Sequence, residues 1–133
     1  MKIVGATEYA VVLYRDKLPK FNNGRQIDPE TGKPIRGTGK MIFNWFEWKR
    51  DNSKEYPKIH PTQKPVNVLK QLIEIFTDEG DTVIDPCAGS ASTLRACAEI
   101  NRSCYGFEIK KEFVKQAKEK MLSNINIQLK LGV

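Results

Sequence analysis

Apolar and polar positions along the chain follow two different regimes. Residues 9–14 read Tyr-Ala-Val-Val-Leu-Tyr, a short β-branched and aromatic run bounded by charge, which predicts a buried strand. From residue 17 to about 59 the pattern dissolves into turn chemistry: Asn22-Asn23-Gly24, the stretch 28–34 with its two prolines and Gly32, and Gly37-Thr38-Gly39. One aromatic island, Phe43-Asn44-Trp45-Phe46-Glu47-Trp48, interrupts it. A long irregular insertion of this kind is usually functional or mobile, so its side chains carry weight.

Regular periodicity returns after it. Val66, Leu69, Leu72, Ile73 and Phe76 recur at helical spacing behind Pro65, which suits a first helical turn, and predict a helix over 65–77 that Gly80 closes. Thr82-Val83-Ile84-Asp85 predicts a short buried strand, residues 86–92 a small-residue loop, and 92–100 a second helix. A strand over 103–109, a charged helix over 111–123 and an alternating strand over 125–131 complete the pattern. Strands alternating with helices predict an open, mostly parallel α/β sheet, the last strand being also compatible with an antiparallel edge. The expected organisation is one domain over 1–133: a sheet strand in 1–16, the insertion in 17–59, and a helix-strand unit in 60–133.

Composition narrows the class. At 133 residues, 40% hydrophobic and 29% charged, the chain is long enough for one core and is neither collagen-like nor low-complexity. No window approaches the roughly 18 apolar residues of a membrane span, and the first eight residues lack a signal-peptide core, which predicts a cytoplasmic protein. Cys87, Cys97 and Cys104 are odd in number with no C-x-x-C pair, and His60 stands alone. Neither a disulfide framework nor a metal site is indicated; the cysteines read as reduced, small apolar core residues.

Net charge is +6, and its placement matters more than its size. Residues 15–70 hold 13 Lys and Arg against 6 Asp and Glu, whereas the remainder holds 9 against 10. A regional basic excess suits a polyanion such as nucleic acid. The candidate phosphate contacts are Arg25, Lys33, Arg36, Lys40, Lys49 and Arg50, interleaved with aromatics fit for base stacking. The alternatives are a solubilising surface for the charges and a local mini-core for the aromatics.

The strand, small-residue loop and helix at 83–97 are followed by Glu108, 19 positions after Gly89. In doubly wound sheets a ligand lies beyond the carboxyl ends of the strands, glycine lets backbone approach it, and an acidic residue about 20 positions on receives a ribose hydroxyl pair. Two segments sharpen this: His60-Pro61-Thr62-Gln63-Lys64-Pro65 and Asp85-Pro86-Cys87-Ala88-Gly89-Ser90-Ala91-Ser92-Thr93, with Gly106-Phe107-Glu108-Ile109 beyond. Together they resemble the C-terminal part of the DNA amino-methyltransferases, in the group whose catalytic motif precedes the cofactor motif.

The resemblance implies a partial, Rossmann-like sheet that binds S-adenosylmethionine and serves N6-adenine or N4-cytosine methylation of DNA. It implies that Asp85, Cys87 and Gly89 form the cofactor loop, that Glu108 holds the ribose hydroxyls, and that Thr62 and Lys64 lie beside the methionine end. Two departures stand out. Ala91 occupies the position of a second family glycine, where a Cβ would crowd the ligand or resist positive φ. The family's Pro-Pro-aromatic catalytic tetrapeptide is absent, since the chain contains no Pro-Pro. No catalytic residue is therefore assigned, and the isolated chain is expected to be inactive. An upstream-encoded catalytic half or a homodimer would cover the exposed sheet. The alternative function is a noncatalytic DNA-binding or assembly module derived from such a methylase.

Overall fold

The computed structural model describes residues 8–16, 21–123 and 125. Its regular part begins with helix α1, Val66–Phe76, followed by strand β1, Thr82–Asp85, helix α2, Ser92–Glu99, and strand β2, Ser103–Gly106. Helix α3, Lys111–Gln116, continues into a π-helical turn over Ala117–Met121. The two strands pair in parallel, with Val83 opposite Cys104 and Asp85 opposite Gly106, the pairing expected of a strand-helix-strand crossover.

Capping explains where these helices begin and end. Pro65 precedes α1, and the free Val66 N–H at its start donates to Asp51 Oδ2 at 2.6 Å, a cap reached across 15 residues from the insertion. Helix α2 ends in a Schellman motif: Asn101 takes φ +58°, Arg102 N–H donates to Cys97 O at 2.9 Å, and Asn101 N–H reaches Ala98 O at 3.4 Å. The Arg102 guanidinium then bonds Thr77 O at 3.0 Å, tying the end of α2 to the end of α1.

The core lies between α1, α2 and the C-terminal turn. Val66, Ile73, Leu94, Ala96, Cys97, Ala117 and Met121 are buried there. Gly106 makes β2 fit beneath α2, since a Cβ there would come within 2.5 Å of Leu94 Cδ1 and 3.0 Å of the Ala88 methyl. One face of the sheet is covered by α2; the other, carrying Ile84 and Tyr105, is exposed.

Several expectations are met closely and others are corrected. Helices α1 and α2 and strand β1 fall within a residue or two of their sequence-predicted bounds. Strand β2 stops at Gly106 rather than residue 109: Phe107 N–H still donates to Asp85 O, but the Cys87 N–H is taken by the Asp85 carboxylate and it is Ala88 N–H that reaches the Phe107 carbonyl, which breaks the ladder at the loop. The strand expected at 9–14 does not form: the segment has no regular structure, and Tyr9 and Leu13 are 91% and 88% exposed. A strand needs a neighbour to bond to, and none pairs with this segment among the described residues. The final strand expected over 125–131 lies outside the described residues but for Ile125. Of the cysteines, Cys97 is buried and Cys104 half-buried as expected of core residues, whereas Cys87 is exposed on the loop. The Cys104 thiol is pushed up, first by its hydrogen bond with Cys97 and then by burial, so it stays protonated.

Candidate cofactor site and basic insertion

The loop between β1 and α2 leaves the carboxyl end of the sheet and is folded around its own polar groups. Asp85 Oδ1 accepts the Cys87 N–H at 3.0 Å, a local turn that points the backbone outward. Gly89 takes φ +51°, a conformation natural to glycine, and a Cβ there would find nothing closer than 3.9 Å. The loop surface above Gly89 is therefore open. Glu108 faces it from the end of β2: its Oε2 accepts the Gly89 N–H at 3.0 Å and its Oε1 accepts the Lys110 N–H at 2.8 Å. Each carboxylate oxygen keeps a second lone pair, so a pair of vicinal hydroxyls can still be received.

Ala91 adopts φ +62° and ψ +27°, the left-handed conformation that glycine takes without strain. Its methyl is packed into the core, with the residue 4% exposed, rather than turned outward over the loop. The backbone thus takes the positive φ that an alanine resists, the second of the two consequences expected of this residue. The flanking hydroxyls of Ser90 and Ser92 are buried and bond each other at 2.8 Å.

The segment after residue 59 meets the loop through His60. The imidazole packs edge-on against Phe113 at 4.6 Å between centroids, and its Cδ2 lies 3.9 Å from where a Cβ on Gly89 would be. Its Nδ1 accepts from the Thr62 N–H at 3.2 Å and lies 3.0 Å from the Thr62 hydroxyl. Thr62 is thus fixed beside the ring. Lys64 is engaged elsewhere: its ammonium pairs with Glu8 at 2.6 Å and sits 5.2 Å from the Trp48 ring centroid.

A charged cluster that residue spacing did not single out joins the insertion to both helices. Tyr56, 4% exposed, donates its hydroxyl to Glu99 Oε2 at 2.9 Å, Lys70 Nζ donates to the same oxygen at 2.8 Å, and Arg95 pairs with the other. Burial pushes the Glu99 carboxyl up, but the hydrogen bonds from Lys70, Arg95 and Tyr56 outweigh it and hold the pKa below its usual value. Lys70 is likewise raised by Glu99 despite an opposing burial effect. The sequence signal was available only in part: Arg95 and Glu99 share a helix face at i, i+4, but Tyr56 and Lys70 come from other elements.

The insertion carries the basic candidates on its surface. Arg25, Lys33 and Arg36 surround a small turn closed by Asp28 N–H to Lys33 O at 2.9 Å and Ile35 N–H to Gln26 O at 2.9 Å. The Asp28 carboxylate accepts the Thr31 and Glu30 N–H groups, which lowers its pKa. Lys40, Lys49 and Arg50 flank the aromatic island, Lys49 pairing with Glu47 at 3.0 Å. All six cations are exposed. Phe43, Trp45 and Trp48 are exposed as well, so the island is not a closed mini-core.

A family model described as DNA methylase, that of the N6 and N4 methyltransferases, matches residues 2–119. The type II methyltransferase M.HpaI of Haemophilus parainfluenzae is 42% identical over 69 residues, 52% of this chain and 22% of that protein. The type II methyltransferase M2.DpnII of Streptococcus pneumoniae is 37% identical over 106 residues, 80% of this chain and 34% of that protein. The crystal structure of an M1.HpyAVI–SAM complex superposes with a TM-score of 0.46 at 38% identity, covering 48% of this chain and 32% of that one. The chain thus spans no more than about a third of the length of the curated relatives it matches. Its two parallel strands and their helices are a partial Rossmann-like sheet, and with the family model matching nearly its whole length, the chain belongs to the DNA methylase family.

Proposed function

We propose that this chain is the S-adenosylmethionine-binding part of a DNA methyltransferase acting on adenine N6 or cytosine N4, with the insertion contacting DNA. The observation that carries this reading is the Glu108 carboxylate bonded to the Gly89 N–H at 3.0 Å across the carboxyl ends of two parallel strands. The residues fit the group: Glu108 has lone pairs for the ribose hydroxyls, Gly89 leaves the loop surface clear, and Asp85 and Cys87 hold the loop open. Thr62, fixed by His60 beside Gly89, would orient the methionine end; Lys64 would join it on leaving Glu8. The bound cofactor supplies an electrophilic methyl group. What the chain contributes is position: it holds the donor at the sheet edge while Arg25, Lys33, Arg36, Lys40, Lys49 and Arg50 engage phosphates.

The chain would work in the cytoplasm together with the rest of a catalytic domain. Ile84, Tyr105, Phe107 and Ile109 are exposed beside a two-stranded parallel sheet, an arrangement that calls for a covering layer. We propose an upstream-encoded catalytic half as that layer, with a homodimer as the alternative cover. The second functional reading, a noncatalytic DNA-binding or assembly module, is favoured by the exposed aromatics of the insertion.

Calorimetric titration with S-adenosylmethionine, read beside duplex DNA binding, tests the proposal. Glu108→Gln should weaken cofactor binding about tenfold or more, because charge-assisted bonds to the ribose are lost. DNA binding with no cofactor uptake would support the second reading and overturn the first.

A further inference from the structure

The turn that carries Thr62 is held on both sides and pivots on one imidazole. Gln63 fixes its flanks: its Oε1 accepts the Ile59 N–H at 2.9 Å, its Nε2 donates to Pro57 O at 3.2 Å, and its own N–H donates to His60 O at 3.2 Å. Inside that frame the Thr62 N–H donates to His60 Nδ1 at 3.2 Å. A backbone N–H can only donate, so Nδ1 is bare and the ring proton sits on Nε2. The half-buried ring is placed by more than this bond, since it also packs edge-on against Phe113 and lies beside Gly89 of the loop. A change of charge on the ring therefore falls on Thr62 and on the loop together.

We infer that protonation of His60 releases Thr62 and lowers the affinity of the site for S-adenosylmethionine, so that cofactor binding is linked to pH through this one ring. The inference rests on the reading of residues 60–65 and 85–92 as the cofactor site and adds its regulation. An imidazolium carries a hydrogen on both nitrogens, which sets Nδ1–H against the Thr62 N–H, donor against donor. The Thr62 hydroxyl, 3.0 Å from the same nitrogen, then turns to accept from it and no longer faces the ligand as before. The donor itself carries a sulfonium and an ammonium against one carboxylate, so a further cation at His60 opposes it. Histidine is the side chain that ordinarily changes charge between about pH 5 and 8. The charged groups on the elements around it are of other classes: Asp85 and Cys87 on the loop, Glu108 bonded to Gly89, Lys110 at the start of α3 with its ammonium 5.5 Å from the Phe113 centroid, Lys111 and Glu112 next to it, and Lys58 and the Glu8-paired Lys64 on its own segment. Carboxylates as a class titrate below that window, and thiols and ammonium groups above it, so they supply a constant field while the ring changes.

Two substitutions separate the acceptor from the charge. His60→Asn keeps an acceptor for the N–H two residues on, as asparagine does in an Asx turn, and does not titrate. His60→Phe keeps a ring against Phe113 and has no acceptor. S-adenosylmethionine is titrated calorimetrically into the three chains at about pH 8 and about pH 5.5, on either side of the histidine range. The cofactor's own α-amino group titrates near the upper end, but it is common to all three, so the differences between chains carry the result. The wild type and His60→Asn should bind alike at the higher pH. At the lower pH the wild type should bind about three- to tenfold more weakly than His60→Asn, the worth of one hydrogen bond. His60→Phe should be weak at both. In the ligand-free chain the Thr62 amide resonance should follow a single titration in the wild type and stay in place in His60→Asn. Parallel profiles for the wild type and His60→Asn, a His60→Asn chain as weak as His60→Phe at the higher pH, or a Thr62 resonance that does not move would overturn the proton linkage and leave the cofactor reading standing. No binding by any of the three chains would overturn both.

Discussion

Residues 60–123 and residues 21–59 satisfy their backbone in different ways. In the first, helices and paired strands bond to themselves, and the exceptions are the loop at 85–92 and the helix ends, each closed by a specific side chain or a left-handed residue. In the second, the one ladder contact among the described residues is the bridge between Ile27 and Pro34; the other bonds are scattered backbone turns such as Lys40 N–H to Asn23 O and Tyr56 N–H to Asn52 O, and Asx and Thr turns such as those of Asn22, Asn23, Asp28 and Thr38. The first region carries its own core. The second is shaped locally and held in place by Asn22, Asp51 and Tyr56. A segment built this way can vary its exposed side chains with little cost to the fold, whereas the loop at 85–92 is held by the Asp85, Glu108 and Ala91 backbone bonds and can vary little.

The most severe test of this division of labour is turnover. If the insertion only contacts DNA, the chain alone should transfer methyl groups from labelled donor to DNA at background rate. Holding the target amine in line with the methyl accounts for several kcal/mol or more of such a barrier, and no Pro-Pro-aromatic segment is present to hold it. Robust transfer by the chain alone would place an amine-holding group, Asn44 for example, in the insertion and erase the contrast.

The next largest effect should come from the tie between the two regions. Tyr56 is the one buried core residue among the described residues of the insertion, so Tyr56→Ala should cost about 3–5 kcal/mol in urea unfolding, as other large-to-small aromatic deletions do. Tyr56→Phe keeps the ring but strips one hydrogen bond from Glu99, and about 1–3 kcal/mol is expected. Equal losses from the two variants would show that the ring contributes little and that the regions are joined through charge alone.

How much of this was legible in the sequence follows the same boundary. Helical spacing at Val66, Leu69, Ile73 and Phe76 gave α1, and the Thr82–Asp85 run gave β1, because each element buries one face against the rest of the same chain. Residues 9–14 have an equally strong strand pattern and form none, since a strand's bonds lie outside itself and its partner is not among the described residues. Glu108 and Gly89 were readable from their separation. The Tyr56, Lys70, Arg95 and Glu99 cluster was not, because it assembles from three elements whose relative placement no local pattern encodes.

Gly106→Ala tests whether the 60–123 region is as tightly built as its bonding implies. The added methyl would meet Leu94 Cδ1 at 2.5 Å, a side chain itself buried, and the Ala88 methyl at 3.0 Å. A loss of about 1–3 kcal/mol is expected, with the thermal midpoint as readout. A neutral result would mean that Leu94 can move aside, and that the sheet and α2 are packed more loosely than their contact indicates.

Acid should act first on the tie. The Glu99 pKa is lowered in the folded chain, so its contribution to stability is complete above the unfolded carboxyl value near 4.5 and is lost as pH falls through the folded value. Lys70, raised in the folded chain, contributes fully below 10.5 and loses its contribution only as pH climbs through its folded value. Between these limits stability should be flat with respect to this cluster. Glu99→Gln should remove much of the acid-side slope below pH 4.5; an unchanged slope would assign it to other carboxylates.

The smallest effect is expected where the sequence drew most attention. Ala91→Gly relieves a left-handed alanine, worth about 1–2 kcal/mol. Against that, it removes a buried methyl, about 0.8 kcal/mol, and adds backbone entropy to the unfolded chain, about 0.5–1 kcal/mol. The net change in stability should therefore lie within about 1 kcal/mol of zero. Cofactor affinity should change little as well, because the alanine already takes the glycine conformation and its methyl points into the core rather than over the loop. Paired calorimetry on the two chains decides this. A glycine variant that binds S-adenosylmethionine much more tightly would mean that the loop rearranges around the ligand and that Ala91 resists the rearrangement, so that the constrained region is the one that moves.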